Sequence, residues 1–176
     1  SVFQYHYKED STFDLNSKYL FNNKKLQIEK LQLSPWILMD EQERFSYDAT
    51  DFLETYFYSV TDYTTNDTLF NDGANFTQRR GSAYGFAGNW TFTTIYSYFS
   101  NTNTISNKNF GKPFLGKDSE NLLKSETTSS TNLFQVPVTT ITTVKNYTYD
   151  FDNYGRVAAQ YATTDASTIK TTFTYY

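Results

Sequence analysis

The sequence predicts an all-β fold: a twisted antiparallel meander of hairpins with minimal helix, open or partly closed, of about eight to ten strands. Three observations carry the prediction. The 176 residues include 16 Tyr, 16 Phe and 2 Trp. With tyrosine set aside and glycine counted, only about a third of the chain is apolar, against roughly 45–50% in an average domain. Such a chain favours pleated, half-wetted surfaces over a thick aliphatic core. Next, apolar and aromatic residues recur with period 2, which places alternate side chains on one face of a strand. Last, a short polar turn returns between the alternating runs. Its clearest copy is Tyr147-Thr-Tyr-Asp-Phe-Asp-Asn-Tyr-Gly-Arg-Val157. There Tyr147, Tyr149 and Phe151 share a face, Asp152 and Asn153 close local hydrogen bonds, and Gly155 supplies a positive φ.

The elements follow in order. Phe3, Tyr5 and Tyr7 align over 2–7, and Lys8–Ser11 is a turn. Phe13, Leu15, Tyr19 and Phe21 continue one parity, and Asn22-Asn23 turns again. Leu26 and Ile28 open the next strand, while Leu31 and Leu33 fall on the other parity; a bulge or a strand covered on both faces explains the switch. Ser34-Pro35 breaks the ladder, because proline donates no backbone hydrogen bond. The stretch Trp36–Glu43 fits a short helix or a strand. Phe45–Leu53 and Glu54–Asp62 form a clearer unit, with Tyr56, Tyr58 and Val60 on one face. Phe76–Ala83 is a strand, and Tyr84–Asn89 a glycine-containing turn or bulge. In Trp90–Phe99 the residues Trp90, Phe92, Tyr96 and Tyr98 lie on one side, Ile95 and Phe99 on the other.

The pattern lapses after Asn101. Residues 107–132 read as one long polar loop excursion: Gly111, Pro113 and Gly116 oppose a strand, Asp118–Lys124 suits one capped helical turn, and Glu126–Asn132 reads as a polar tip. Strand character resumes at Val136–Val144, where Pro137 marks a strand entry or edge. Asp165–Ser167 is the last turn before Thr168–Tyr176. The turn unit, an aromatic followed by Asp, Asn or Ser, recurs at Tyr47–Leu53, Phe70–Phe76, Phe99–Ile105 and Phe151–Val157, and in shortened form at Phe21–Leu26. The copies at 21, 47 and 151 match best. Their irregular separations indicate a meander instead of a strict solenoid, and residues 1–176 read as a single hairpin-repeat domain.

Charge and composition narrow the function. The net charge is −4 and the isoelectric point about 4.9. The basic pairs Lys24-Lys25 and Arg79-Arg80 are too short for a nucleic-acid stripe and read as solvated strand residues. Cysteine is absent, which removes disulfides, thiolate zinc sites and cysteine nucleophiles. There is no run of roughly 20 apolar residues. Ser1 enters a strand pattern almost at once, as expected of a chain whose leader or tether has been removed.

Phe151-Asp-Asn-Tyr-Gly-Arg-Val157 resembles the Tyr-Asp-x-x-Gly-Arg hairpin of the YD repeats in Rhs and teneurin proteins, with Phe in place of the first Tyr. A narrower resemblance covers the C-terminal 70 or so residues. Asn107-Lys-Asn-Phe-Gly-Lys-Pro-Phe-Leu-Gly-Lys-Asp-Ser-Glu-Asn-Leu-Leu-Lys124, a Thr-rich strand, the hairpin and an aromatic terminus together resemble uncharacterised lipoproteins of Bacteroidetes. That likeness implies an exported protein at the cell surface or in the periplasm, anchored to the outer membrane only by an N-terminal lipid. It implies a monomer or weak oligomer and carries over no catalytic residue and no cofactor. The first 45 residues match only as generic hairpins.

Chemistry-bearing residues are few. His6 is the single histidine, and no Gly-x-Ser-x-Gly elbow accompanies it, so an ordinary strand role outweighs catalysis or metal binding. The carboxylate groups Asp40/Glu41/Glu43, Asp48/Asp51 and Asp150/Asp152 would need a facing pair across a cleft to hydrolyse a glycoside. Asp48, Asp51 and Asp152 lie in turns, where backbone capping is the expected role. Asp150 should face solvent. Asn71-Asp72-Gly73 lacks the spacing of an EF-hand. Trp36, Tyr84, Trp90 and Tyr96 are the candidate ligand-binding residues, as an aromatic platform for sugar rings; strand packing is the competing role and the weightier one. The expected function is a non-enzymatic binding module for a glycan or protein. The alternatives are an adhesion element that pairs through a sheet edge and, last, a carboxylate hydrolase.

Overall fold

The computed structural model describes residues 2–7, 13–33, 41–85, 88–103 and 116–174. Every regular element among them is a strand. These are β1 (Val2–Tyr7), β2 (Phe13–Phe21), β3 (Gln27–Leu33), β4 (Glu41–Tyr47), β5 (Leu53–Val60), β6 (Tyr63–Asn71), β7 (Phe76–Gly85), β8 (Gly88–Asn103), β9 (Asn121–Asn132), β10 (Thr139–Phe151), β11 (Val157–Thr163) and β12 (Thr168–Thr172). They form one 12-stranded sheet in the order of the chain, antiparallel throughout. Among the described residues no pairing joins β12 back to β1, so the sheet is open. The predicted meander is present, with more strands than the eight to ten expected.

One turn explains much of the regularity. The Oδ1 of Asn22, Asp48 and Asp152 accepts the N–H groups two and four residues ahead, at 2.8 to 3.1 Å. The residue three positions on (Lys25, Asp51 or Gly155) takes a positive φ of 64°, 72° or 75°. Only glycine adopts that region without strain, so the first two copies rely on the carboxamide or carboxylate to hold the loop. Lys24 and Lys25 therefore belong to a turn, and Lys24 pairs with Asp51 at 2.6 Å. A one-residue register shift adjoins each of these turns, between Leu20 and Phe21, Ser46 and Tyr47, and Asp150 and Phe151, with the extra residue on the strand that leaves the turn. The bulge after Asn22 accounts for the parity switch between Leu26 and Leu31. A related, shorter turn joins β6 to β7, where Asp72 Oδ1 accepts the N–H of Ala74 and Asn75.

The 107–132 excursion is shorter than expected. Residues 121–132 are β9, paired along their length with β8 and β10; they form no helical turn and no loose tip. Threonine and serine supply the reason. Their β-carbons suit the pleat, and their hydroxyls bond across strands: Thr94 with Thr128 at 2.9 Å, Ser129 with Thr142 at 3.1 Å and Thr131 with Thr140 at 2.8 Å. Residues 104–115 lie outside the described ones.

What remains of the excursion, Gly116–Glu120, works as a strap. Lys117 N–H donates to Asp51 O (2.8 Å), Glu120 N–H to Ala74 O (2.8 Å), and Asn121 N–H to Asn75 Oδ1 (2.9 Å). Beneath it Phe52 is 1% exposed, its ring edge-on to Phe76 at 5.2 Å, with Leu26 and Leu122 also buried. Burying one such aromatic stabilises the fold by roughly 1.5–3 kcal/mol. A small apolar core thus lies at one end of an otherwise single-layer sheet. At the other end Leu133, Phe134, Val136 and Val138 are exposed.

Candidate functional site

Cross-strand register sorts side chains onto two faces. Lys30, Glu43, Phe45, Tyr56, Tyr58, Tyr63, Asp67, Arg79, Trp90, Phe92, Tyr96, Glu126, Lys145, Tyr147 and Tyr149 lie on one, the tyrosine face. The other, the hydroxyl face, carries rows of Ser and Thr, with pairs such as Ser46–Thr55 (2.6 Å) and Ser97–Ser125 (2.7 Å), between scattered larger residues that include Phe57, Phe70, Tyr84, Ile95 and Val144. Both concavities of the molecule described below open on the tyrosine face.

The larger, of about 490 Å³, forms where small residues face large ones. Ala83 stands opposite Trp90, Gly85 opposite Tyr63, and Gly81 opposite Phe92. The missing side chains leave a hollow walled by Trp90, Tyr63 and Phe92. Thr94, Thr128 and Ser130 bring hydroxyls, and Arg79 a cation. Arg79 is held there by Asp67, at 2.5 Å, and lies 5.0 Å over the Phe92 ring. The Asp67 side chain is 1% exposed, and its Oδ1 is buried without a partner. Burial raises its carboxyl above the usual range, against the opposing pull of Arg79. The basic pair is thus not simply solvated: Arg79 compensates a buried acid, while Arg80 lies 5.3 Å over Phe70.

The smaller concavity, of about 310 Å³, opens nearer the strap. Phe76, Tyr96, Tyr98 and Tyr149 supply rings, Leu69, Leu122 and Leu123 aliphatic surface, and Asp118 a carboxylate. Ser119 Oγ donates to the Tyr98 oxygen at 3.0 Å and accepts the N–H of Phe76 at 3.0 Å. Tyr149 donates to Leu123 O at 2.9 Å and accepts from Gln160. Burial pushes the Tyr98 phenol up to about 12 and raises the Asp118 carboxyl.

The candidate platform residues separate in space. Trp90 and Tyr96 share the tyrosine face of β8, six residues apart, and each lines a different concavity. Tyr84 points to the opposite face and is 46% exposed. Trp36 and the side chain of His6 lie outside the described residues. Sequence reading missed Tyr63, Arg79, Asp118 and Tyr149 as lining residues. The parity of Gly81, Ala83 and Gly85 was an available signal, because small residues alternating within a strand mark a hollow on one face. Phe99 leaves its expected side. The register breaks between Ser97 and Asn103, and its ring lies edge-on to Tyr149 at 6.3 Å.

The carboxylates follow the expected division. Asp48 and Asp152 cap turns; despite desolvation, hydrogen bonds to Asn71, Thr50 and Phe52 hold Asp48 below the usual range. Asp150 is exposed and accepts from Tyr161 at 2.7 Å. Glu41 and Glu43 bracket Lys30, at 3.5 and 2.7 Å. Among the described residues no group of three or more His, Cys, Asp or Glu could hold a metal ion. Among the described residues Asp118 is the single carboxylate lining the smaller concavity, and none lines the larger.

The chain matches no protein-family model and no curated protein. Among solved structures it is similar to a porin-like protein from Bacteroides uniformis, with a TM-score of 0.54 and 14% identity over 97% of this chain and 73% of that one. At that identity the likeness is one of fold.

Proposed function

We propose that this chain is a non-enzymatic binding module of the bacterial exterior, at the cell surface or in the periplasm, and that it takes a glycan in the Trp90 concavity. One observation carries the reading: a hollow of about 490 Å³ pairs the rings of Trp90, Tyr63 and Phe92 with the hydroxyls of Thr94, Thr128 and Ser130. Sugar rings present apolar C–H faces and hydroxyl edges, and this wall and floor offer a partner to each. The absence of a facing carboxylate pair in either concavity, among the described residues, supports binding over glycoside hydrolysis. The exported setting draws support from the porin-like neighbour in a Bacteroides and from the lipoprotein resemblance of the C-terminal segment.

A glycan array followed by calorimetry on the best binder tests this. Trp90→Ala should weaken that glycan by roughly thirtyfold, the loss typical of an aromatic anchor. Tyr84→Ala, on the opposite face, should leave it unchanged. An array without binders, or equal affinity in Trp90→Ala, would sink the reading. A second reading has its own observation: β12 is exposed along its length, and among the described residues no strand pairs with its outer edge. That edge suits adhesion by strand addition, and concentration-dependent self-association lost on Lys170→Pro, whose N–H points away from β11, would favour it.

A further inference from the structure

We propose that the smaller concavity is a binding site for an organic ammonium group, a quaternary or alkylated amine, held by the rings of Phe76, Tyr96, Tyr98 and Tyr149 against the carboxylate of Asp118. The site is distinct from the glycan hollow and does not depend on it.

The chemistry of the lining selects the ligand. Four aromatic rings border one space of about 310 Å³, at the small end of ligand pockets. Ring faces carry negative potential and attract cations, most strongly where water is excluded. Two of the phenol oxygens already accept a hydrogen bond from the protein. Tyr149 donates to Leu123 O and accepts from Gln160, and Tyr98 accepts from Ser119. An anion would meet Asp118.

Asp118 makes the case specific. Its Oδ1 accepts only the N–H of the next residue, Ser119, at 2.8 Å. Among the described residues no cation pairs with it. Arg79 is committed to Asp67, and Lys117, its chain neighbour, lies over the Phe52 ring at 5.7 Å. A half-buried carboxylate without a counter-charge is costly, and burial indeed raises its pKa. A bulky, weakly hydrated cation would supply the missing charge and leave little water behind. Leu69 and Leu122 complete an apolar surface suited to the alkyl groups of such a ligand.

Choline and its neutral isostere, 3,3-dimethylbutan-1-ol, are the probes. Calorimetry or tyrosine chemical shifts at pH 7 should show choline binding at least about tenfold tighter than the isostere. Asp118→Asn retains an Oδ1 acceptor for Ser119 and should lose at least about tenfold in choline affinity, while Trp90→Ala leaves it unchanged. No choline binding, equal binding of the isostere, or full affinity in Asp118→Asn would overturn the proposal. The choline–isostere comparison uses the unaltered chain and decides the matter even where Asp118→Asn lowers stability. Loss of glycan binding in Trp90→Ala with choline binding intact would separate the two sites.

Discussion

Lys145, Tyr147 and Tyr149 alternate along β10 with Asn146, Thr148 and Asp150; the first three are half-buried and the second three exposed. The same contrast runs across the sheet. On the tyrosine face, charges are partnered at close range: Lys30 with Glu43, Arg79 with Asp67, and Lys145 with Glu126. Tyr56 adds a hydrogen bond to Glu43 at 3.1 Å, and burial, aided by the Glu43 charge, raises its phenol. On the hydroxyl face, Ser and Thr pair in rows and remain wet, as at Thr163–Thr168 (3.1 Å). Among the described residues no second layer covers this sheet, so it must find cohesion within itself. Long side chains lying across strands on one face remove apolar area from water, whereas the short hydroxyls on the other fit the pleat and stay hydrated between scattered apolar residues such as Phe70, Ile95 and Val144. The larger concavity forms on the tyrosine face where Gly81, Ala83 and Gly85 stand opposite Phe92, Trp90 and Tyr63.

Breaking the Asp67–Arg79 pair should test this contrast hardest. Arg79→Met leaves a buried carboxylate uncompensated and should cost about 3–5 kcal/mol at neutral pH, read by denaturant melts. The deficit should be pH-dependent. Asp67 has a raised folded pKa, and its unfolded value is near 3.8. The folded state therefore holds the proton more tightly, and the penalty is full above the folded pKa and vanishes below about 3.8. The gap between Arg79→Met and the unaltered chain should narrow as pH falls from 7 towards 4. A gap that widens would mean that Asp67 is not the stranded group.

A smaller loss is expected at Gly81. A Cβ there would meet Asp67 Oδ1 at 2.2 Å and Phe92 Cζ at 2.4 Å. Gly81→Ala should overpack the tyrosine face and cost about 1–3 kcal/mol. A neutral result would show that the Phe92 ring lifts away freely, and the wall of the larger concavity would then be soft. On the hydroxyl face, Ser129→Ala and Thr142→Ala should each change stability by less than about 0.5 kcal/mol, because their solvated partners recover water. Losses as large as those at Arg79 or Gly81 would erase the distinction between the faces.

The turns show where sequence reading succeeds. Asn22, Asp48 and Asp152 act within four residues of themselves, so the best three copies of the unit are those that share one hydrogen-bond pattern. The parity of Tyr56, Tyr58 and Val60 was legible for a similar reason, since alternation is local. β9 was missed because the reading leaned on aromatics, and Ser125–Asn132 alternates no apolar residues. Its threonine content was the overlooked signal. The strap was beyond reach: Asn75 and Asn121 are joined across 46 residues, and nothing local marks either as the other's partner. Trp90 and Tyr96 were found as aromatics, yet their separation into two hollows depends on which residues of β6, β7, β9 and β10 stand beside them.

The sequence by itself determined the strand class, the Asx-capped turns and which residues of each strand share a face, because φ/ψ preference, short-range hydrogen bonds and the two-residue period act within one hairpin. Only the tertiary structure decided where Gly81, Ala83 and Gly85 would meet Phe92, Trp90 and Tyr63, and that Asp118 would arrive beside Tyr98. Bulges shift the register in six of the eleven strand pairings, and such shifts accumulate across the twelve strands. The chemistry of this protein's surface is thus set by lateral juxtapositions that no single stretch of its chain contains.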